Sequence, residues 1–88
     1  MYPNRPNPFN AKTLIRYDLP EASRVSLRVY DISGRMVRRL VDGPQSAGSY
    51  GVAWNGRDEG GQPVGSGVYL VRMVAGGFVY VTKLVLLK

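Results

Sequence analysis

Apolar and polar residues alternate with a period of two along much of the 88-residue chain, and this pattern limits the fold more than any other feature. The stretch TLIRYDL (13–19) places Ile15, Tyr17 and Leu19 on one face, and RVSLRVYD (24–31) repeats the pattern. Successive side chains of a strand point to opposite faces, whereas an amphipathic helix needs apolar residues every three to four positions. The sequence therefore predicts strands and essentially no helix.

Turn-forming residues divide the alternating segments. A glycine within ISGR (32–35) and the pair GG (76–77) predict tight hairpins, and DGPQSAG (42–48) has the composition of a loop. The glycine-rich stretch 56–67 predicts a long connection between two sheets. Short strands separated by turn signals every eight to twelve residues or so are typical of small antiparallel sandwiches. We therefore predict one all-β domain over 1–88, with six to seven strands and an extended N-terminal arm over 1–12.

Two strands differ in how clearly they define an inward face. SYGVAWN (49–55) alternates regularly, and we expect Trp54, the only tryptophan, to anchor the core. RMVRRLV (35–41) is ambiguous, because Val37 and Val41 lie on one face and Met36 and Leu40 on the other. Either set is an acceptable core face on the sequence alone.

The composition excludes most catalytic chemistry. The chain has no histidine and no cysteine, and the only close pair of acids is Asp58–Glu59. Adjacent loop residues seldom face each other as acid and base, so we expect no enzyme activity, no cofactor and no catalytic residue. Asn55, Asp58, Glu59 and Gln62 could offer oxygen ligands to calcium, but their spacing fits no EF-hand. Since turns select the same residue types, we predict no metal site.

The formal net charge of +6 would suit nucleic acid, anionic lipid or anionic glycan. The arginines are scattered over alternating segments, which is typical of a solvated outer face. Outward tyrosines, Tyr30 and either Tyr69 or Tyr80, could stack on sugars or bases, although strands also favour aromatics for covering half-exposed surface. We expect no nucleic-acid partner. No apolar run is long enough to span a bilayer, and the sequence has no secretory signal, so we interpret the chain as a domain of a longer protein.

The chain begins with a stiff segment that contains one large apolar side chain. Prolines at positions 6 and 8 restrict their own φ angles and push the preceding residues toward extended conformations. Within the motif Asn7, Pro8, Phe9 and Asn10, the phenylalanine is available to pin the arm against the core. The arm thus presents a candidate recognition motif.

Four stretches together resemble one family over nearly the whole chain: PNPFN (6–10), VSLRVYDISGRMVRRLVDG (25–43), AGSYGVAWNGRDEGGQPVGSGVY (47–69) and KLVLLK (83–88). In this order they are similar to the Por-type C-terminal sorting domain of the type IX secretion system. The part WNGRDEGGQPVGSGVY (54–69) also resembles the Ig-like domain of flagellar hook-capping proteins. One departure is Ala11, where the sorting-domain pattern usually has a proline.

The sorting-domain resemblance implies an Ig-like β-sandwich without catalysis that directs a fused passenger protein across the outer membrane. The partners would be the outer-membrane secretion machinery and anionic lipopolysaccharide or another cell-surface glycan, and the location would be secreted or at the cell surface. Two alternatives stay open: a carbohydrate- or surface-binding module of a secreted hydrolase, and an Ig-like structural module of a flagellar cap-like assembly. By position, the sorting signal would be Lys83, Leu84, Val85, Leu86, Leu87 and Lys88.

Alternation adds one structural expectation for this last segment. Leu84 and Leu86 share one face, and Val85 and Leu87 share the other. We therefore predict a strand that buries one side in the sandwich and leaves the other side available to a partner.

Overall fold

The computed structural model describes residues 1–8 and 12–88, and in that part of the chain the only regular structure is β-strand. The six strands are β1 (Thr13–Leu19), β2 (Ser23–Asp31), β3 (Met36–Gln45), β4 (Gly48–Trp54), β5 (Gly67–Ala75) and β6 (Phe78–Leu86). All pairings are antiparallel. The prediction of an all-β fold of six to seven strands is confirmed, with six strands in the described residues. The described residues include no helix with the length and apolarity needed to cross a bilayer.

The strands form two sheets that face each other. One sheet pairs β1 with β4, and the other has the order β3-β2-β5-β6. The chain passes between the sheets three times: after β1, after β3, and through the glycine-rich connection between β4 and β5. The predicted hairpins β2–β3 and β5–β6 are both present, and Gly34 and Gly76 supply the positive φ angles of their turns. The long connection joins the two sheets, as its composition predicted.

The core follows the alternation read from the sequence. β1 buries every second residue, and Val25, Leu27 and Val29 of β2 are completely buried. Trp54 is 1% exposed and meets the ring of Tyr69 edge to face at a centroid distance of 5.3 Å. Tyr69 is therefore a core residue at 8% exposure. Of the two alternatives for an outward tyrosine, Tyr69 is wrong and Tyr80 is exposed. The partner of Tyr69 across the strands, Leu84, lies on the same inward face.

β3 differs from its prediction in length and in regularity. Asp42–Gln45, expected in a loop, continue the strand and pair with the start of β2. Pro44 is tolerated because β3 is an edge strand, where the missing N–H removes no sheet hydrogen bond. Register shifts interrupt the β2–β3 ladder at two points, so Val37 is buried while both Leu40 and Val41 pack partly against the core. The face of this strand was ambiguous because the bulges change its parity.

The free edge of β3 is covered by the glycine-rich connection. The backbone N–H of Glu59 donates to the carbonyl of Val37 at 3.0 Å. The Glu59 carboxylate in turn accepts a hydrogen bond from the backbone N–H of Arg39. An exposed strand edge is a template for unwanted pairing, and this loop occupies it.

The N-terminal arm lies along the free edge of β1. Tyr2 donates its backbone N–H to the carbonyl of Arg16 at 2.9 Å, and Arg5 and Leu14 exchange two backbone hydrogen bonds of 3.1 and 2.8 Å. Residues 1–5 thus extend the small sheet by one short segment.

Candidate functional site

The arm and the last strand, predicted separately as candidate sites, meet in the structure. The Asn7 side-chain amide donates from Nδ2 to the carbonyl of Lys83 at 3.2 Å. Its Oδ1 accepts a hydrogen bond from the backbone N–H of Val85 at 2.9 Å. One side chain therefore makes the two hydrogen bonds that a neighbouring strand would make with this edge of β6. We call Asn7 with the backbone of Lys83 and Val85 the arm–edge junction.

A buried polar cluster holds the arm in position for this junction. Asn4 is buried, and its Nδ2 donates to Thr13 Oγ1 at 2.8 Å and to the carbonyl of Pro6 at 3.0 Å. Thr13 Oγ1 also donates to the carbonyl of Pro6, at 2.8 Å. Thr13 belongs to β1, so these bonds fix the position of Pro6 relative to the small sheet. Asn7 is the next residue, and its reach to β6 follows from that anchor.

A second anchor fastens the start of the arm. The Tyr2 hydroxyl donates a hydrogen bond to the Asp18 carboxylate, which also accepts one from Ser49 Oγ at 2.7 Å. The bond from Tyr2, followed by the bond from Ser49, lowers the pKa of Asp18, and the bond to Asp18 raises the pKa of Tyr2. At neutral pH the pair is a charge-assisted hydrogen bond between the arm and β1.

The remaining predicted site residues have different environments. Leu84 and Leu86 are buried in the core, so the prediction that KLVLLK buries one side is confirmed. Lys83, Leu87 and Lys88 are exposed, and the backbone N–H of Lys88 donates to Ser66 Oγ at 2.9 Å. Pro8 is exposed, while Phe9 and Asn10 lie outside the described residues. The structure thus brings Asn7 together with 83–85 and leaves the other exposed residues without a shared site.

Sequence reasoning missed an exposed apolar stretch in the first half of β6. Phe78, Val79, Tyr80 and Val81 are between 42% and 63% exposed, although they alternate between both faces of the sheet. The Phe78 and Tyr80 rings stack at a centroid distance of 6.3 Å and an interplanar angle of 23°. They border a groove of about 150 Å³. The continuous run FVYV, with no polar residue between its apolar ones, was the available signal.

Basic side chains form a row on the outer face of the large sheet. Arg28 of β2 lies opposite Arg39 on one side and opposite Arg72 on the other. Like charges directly opposite each other on neighbouring strands are destabilising. Asp42 lies 4.0 Å from Arg39, while Arg28 and Arg72 form no ion pair with any described residue. The sheet therefore carries an incompletely neutralised basic row.

The carboxylates considered as calcium ligands are committed to the loop backbone. Asp58 Oδ1 accepts hydrogen bonds from the N–H groups of Gly60 and Gln62 at 3.0 and 2.9 Å, and Glu59 is bound to β3. Among residues 1–8 and 12–88, no three acidic, histidine or cysteine side chains are grouped closely enough to hold a metal ion. Asp58 and Glu59 therefore have structural roles.

The comparisons with known proteins converge on one family. The sequence model of the FlgD Ig-like domain matches residues 9–77, most of the chain. The chain belongs to the FlgD Ig-like domain family. The crystal structure of FlgD from P. aeruginosa matches it with a TM-score of 0.65 and 29% sequence identity over 84% of this chain. The match spans 60% of that FlgD chain. No curated protein matches the sequence.

The type IX sorting-domain interpretation is wrong, because both matches are to FlgD. The part of the sequence that also resembled hook-capping proteins, WNGRDEGGQPVGSGVY (54–69), falls within the FlgD Ig-like match. By contrast, Asn7, Pro8 and the segment 83–88, which formed part of the sorting-domain resemblance, lie outside the matched range. Asn7 and two of the leucines have a structural explanation, since Asn7 binds the edge of β6 and Leu84 and Leu86 are buried in the core.

Proposed function

We propose that this chain is a non-catalytic Ig-like module of a longer FlgD-type hook-capping protein, in which it serves assembly by presenting rigid sheet surfaces to neighbouring domains or subunits. The observation that carries the proposal is the family match over residues 9–77. Fold alone supports many functions, so family membership contributes more here than the sandwich does.

The described side chains support a binding role. The sandwich interior is filled by Trp54, Tyr17 and branched aliphatic residues. The polar groups at the arm bind the module's own backbone. The exposed features are the apolar half of β6 and the basic row on the large sheet. These are surfaces for contact with another macromolecule, and the proposal places that contact at the cell surface.

A domain replacement in the parent gene tests this function. In a bacterium that carries the gene, the segment encoding residues 13–86 is replaced by a flexible linker, and hooks are examined by electron microscopy. We expect the truncated protein to be produced while hook formation fails. Asn55→Ala, which changes an exposed side chain, is the matched control and should leave hooks normal. Normal hooks without the sandwich would contradict the proposal.

Glycan binding is a second candidate, favoured by the exposed stacked pair Phe78 and Tyr80. Sugar rings stack on such aromatic platforms, and this contact does not depend on charge. Retention on a neutral polysaccharide that persists at high salt and is lost in Tyr80→Ala would favour this candidate. If hooks also assembled normally without the sandwich, glycan binding would replace the assembly role.

A further inference from the structure

The first half of β6 presents a strand edge that the described residues leave open. Asn7 binds the carbonyl of Lys83 and the N–H of Val85, so both residues direct their backbone groups away from β5. Backbone groups alternate in direction along a strand, and Val79 and Val81 therefore also point theirs outward. No described residue outside the sheet donates a backbone hydrogen bond to them or accepts one.

Among residues 1–8 and 12–88, nothing gives this edge the protection seen elsewhere in the molecule. The β3 edge contains Pro44 and is covered at Val37 and Arg39 by Glu59, and the arm already occupies β6 at 83–85. Proteins usually protect an exposed edge with charge, proline, a bulge or a covering segment. In the segment 78–81 all four side chains are apolar and exposed. An additional strand here would pair with the same edge of β6 that Asn7 binds at 83–85.

The two faces of such a strand would contact different kinds of side chain. On the outer face, Arg72 lies directly opposite Val81, so the next strand position is about 10 Å from Arg72. An arginine and a glutamate side chain can together bridge that distance. On the inner face, the groove is lined by Leu19, Phe78 and Tyr80, together with Asp18 and Glu21. The outer side thus favours acidic residues, and the inner side favours apolar ones and disfavours acids.

We propose that the open edge of β6 at 78–81 binds an extended polypeptide segment in which acidic residues alternate with apolar residues. The segment would add as a strand beside β6, with its carboxylates toward Arg72 and its apolar side chains in the groove. A second copy of this chain fits poorly, because FVYV has no acidic residue and the chain carries a net charge of +6. The family match assigns no role to this surface.

The test uses two synthetic peptides that differ only in charge, TVEVEVEVT and TVKVKVKVT, each labelled with the same fluorophore at the N-terminus and amidated. Binding to the 88-residue chain is measured by fluorescence anisotropy, and the site is mapped by amide shifts in NMR spectra. We expect the glutamate peptide to bind at least ten-fold more tightly than the lysine peptide. The largest shifts and new hydrogen-exchange protection should fall on Val79 and Val81.

Three variants distinguish backbone pairing at the β6 edge from general electrostatic attraction to a basic protein. Val81→Pro removes an outward N–H and should weaken binding at least ten-fold, with its fold checked by thermal melting. Arg72→Gln should weaken it about two- to five-fold, a typical value for an exposed ion pair. Arg35→Gln removes the same charge at an exposed position in the β2–β3 turn and should have no effect beyond experimental error.

Several results would overturn the inference. Equal affinity for the two peptides would show that the edge does not prefer acidic segments. If the glutamate peptide does not bind at millimolar concentration, or if the amide shifts are confined to residues away from β6, the edge at 78–81 is not a binding site. Dimers of the free chain that disappear in Val81→Pro would assign the edge to a second copy. If Val81→Pro fails to fold, Val81→Glu supplies the comparison, because it keeps the N–H and places a negative charge on the outer face beside the peptide's carboxylates. It should weaken binding of the glutamate peptide.

Discussion

Replacing Asn7 with alanine tests whether the arm–edge junction fastens the arm to β6. The change removes the bond to the Lys83 carbonyl and the bond from the Val85 N–H, which measure 3.2 and 2.9 Å. A hydrogen bond contributes about 0.5–1.5 kcal/mol net, and both partners here are accessible to water. We therefore expect a loss of about 1–2 kcal/mol. An 88-residue domain has a total stability of about 4–13 kcal/mol, so the loss is a measurable fraction.

Two measurements follow from that magnitude. The thermal midpoint should fall by about 4–15 °C in a melt followed by circular dichroism. Hydrogen exchange at the Val85 amide should accelerate about 5- to 30-fold, because its acceptor is gone. Asn7→Asp separates the two bonds: its carboxylate still accepts from Val85 but no longer donates to Lys83. That variant should lose thermal stability while retaining protection at Val85.

The matched control is Asn55→Ala, since Asn55 is an exposed asparagine for which the described part of the chain supplies no hydrogen-bond partner. It should shift the free energy of unfolding by less than about 0.5 kcal/mol. If Asn7→Ala melts at the wild-type temperature and Val85 remains protected, the arm–edge junction does not fasten the arm to β6, and the reasoning is refuted.

Three further predictions address the core, the pH response and a turn. Trp54→Ala should cost about 3–5 kcal/mol in denaturant titrations, and a wild-type fluorescence maximum typical of exposed tryptophan would contradict its burial. The pKa of Asp18 is lowered by folding from its ordinary 3.8, so its stabilisation is present above about pH 4 and is lost as pH falls through the folded pKa. Asp18→Asn should flatten the fall in stability below pH 4, and an unchanged acid limb would count against the bond from Tyr2. Gly76→Ala places a side chain at φ 58° and should cost about 1–2 kcal/mol, whereas Gly77→Ala, without a positive φ, should not destabilise the domain. Equal effects at both glycines would show that the turn does not depend on the left-handed conformation.

Part of the candidate site was accessible from the sequence. The proline-flanked motif at 7–10 and the strand at 83–88 were identified as special, and the alternation in KLVLLK predicted that one of its two faces is buried without assigning which one. Their contact was not predictable, because Asn7 and Lys83 are separated by most of the chain and meet only after both sheets form. The functional interpretation failed because the sequence pattern did not distinguish two families that share this fold. The sandwich features are common to two families, and the stretch 54–69 already resembled both.

The sequence by itself determined the strand class, the inward faces of β1, β2 and β4, the alternation at the end of β6, and the two hairpin turns. These features are local, since side-chain alternation and glycine conformation depend on neighbours along the chain. Tertiary structure alone decided the parity of β3, the burial of Tyr69 and the exposure of Phe78–Val81. Each depends on what another strand covers: bulges shift β3 against β2, Trp54 meets Tyr69, and the small two-stranded sheet leaves the first half of β6 uncovered. Alternation specifies which side chains share a face, but only the extent of the opposing sheet determines which of them are buried.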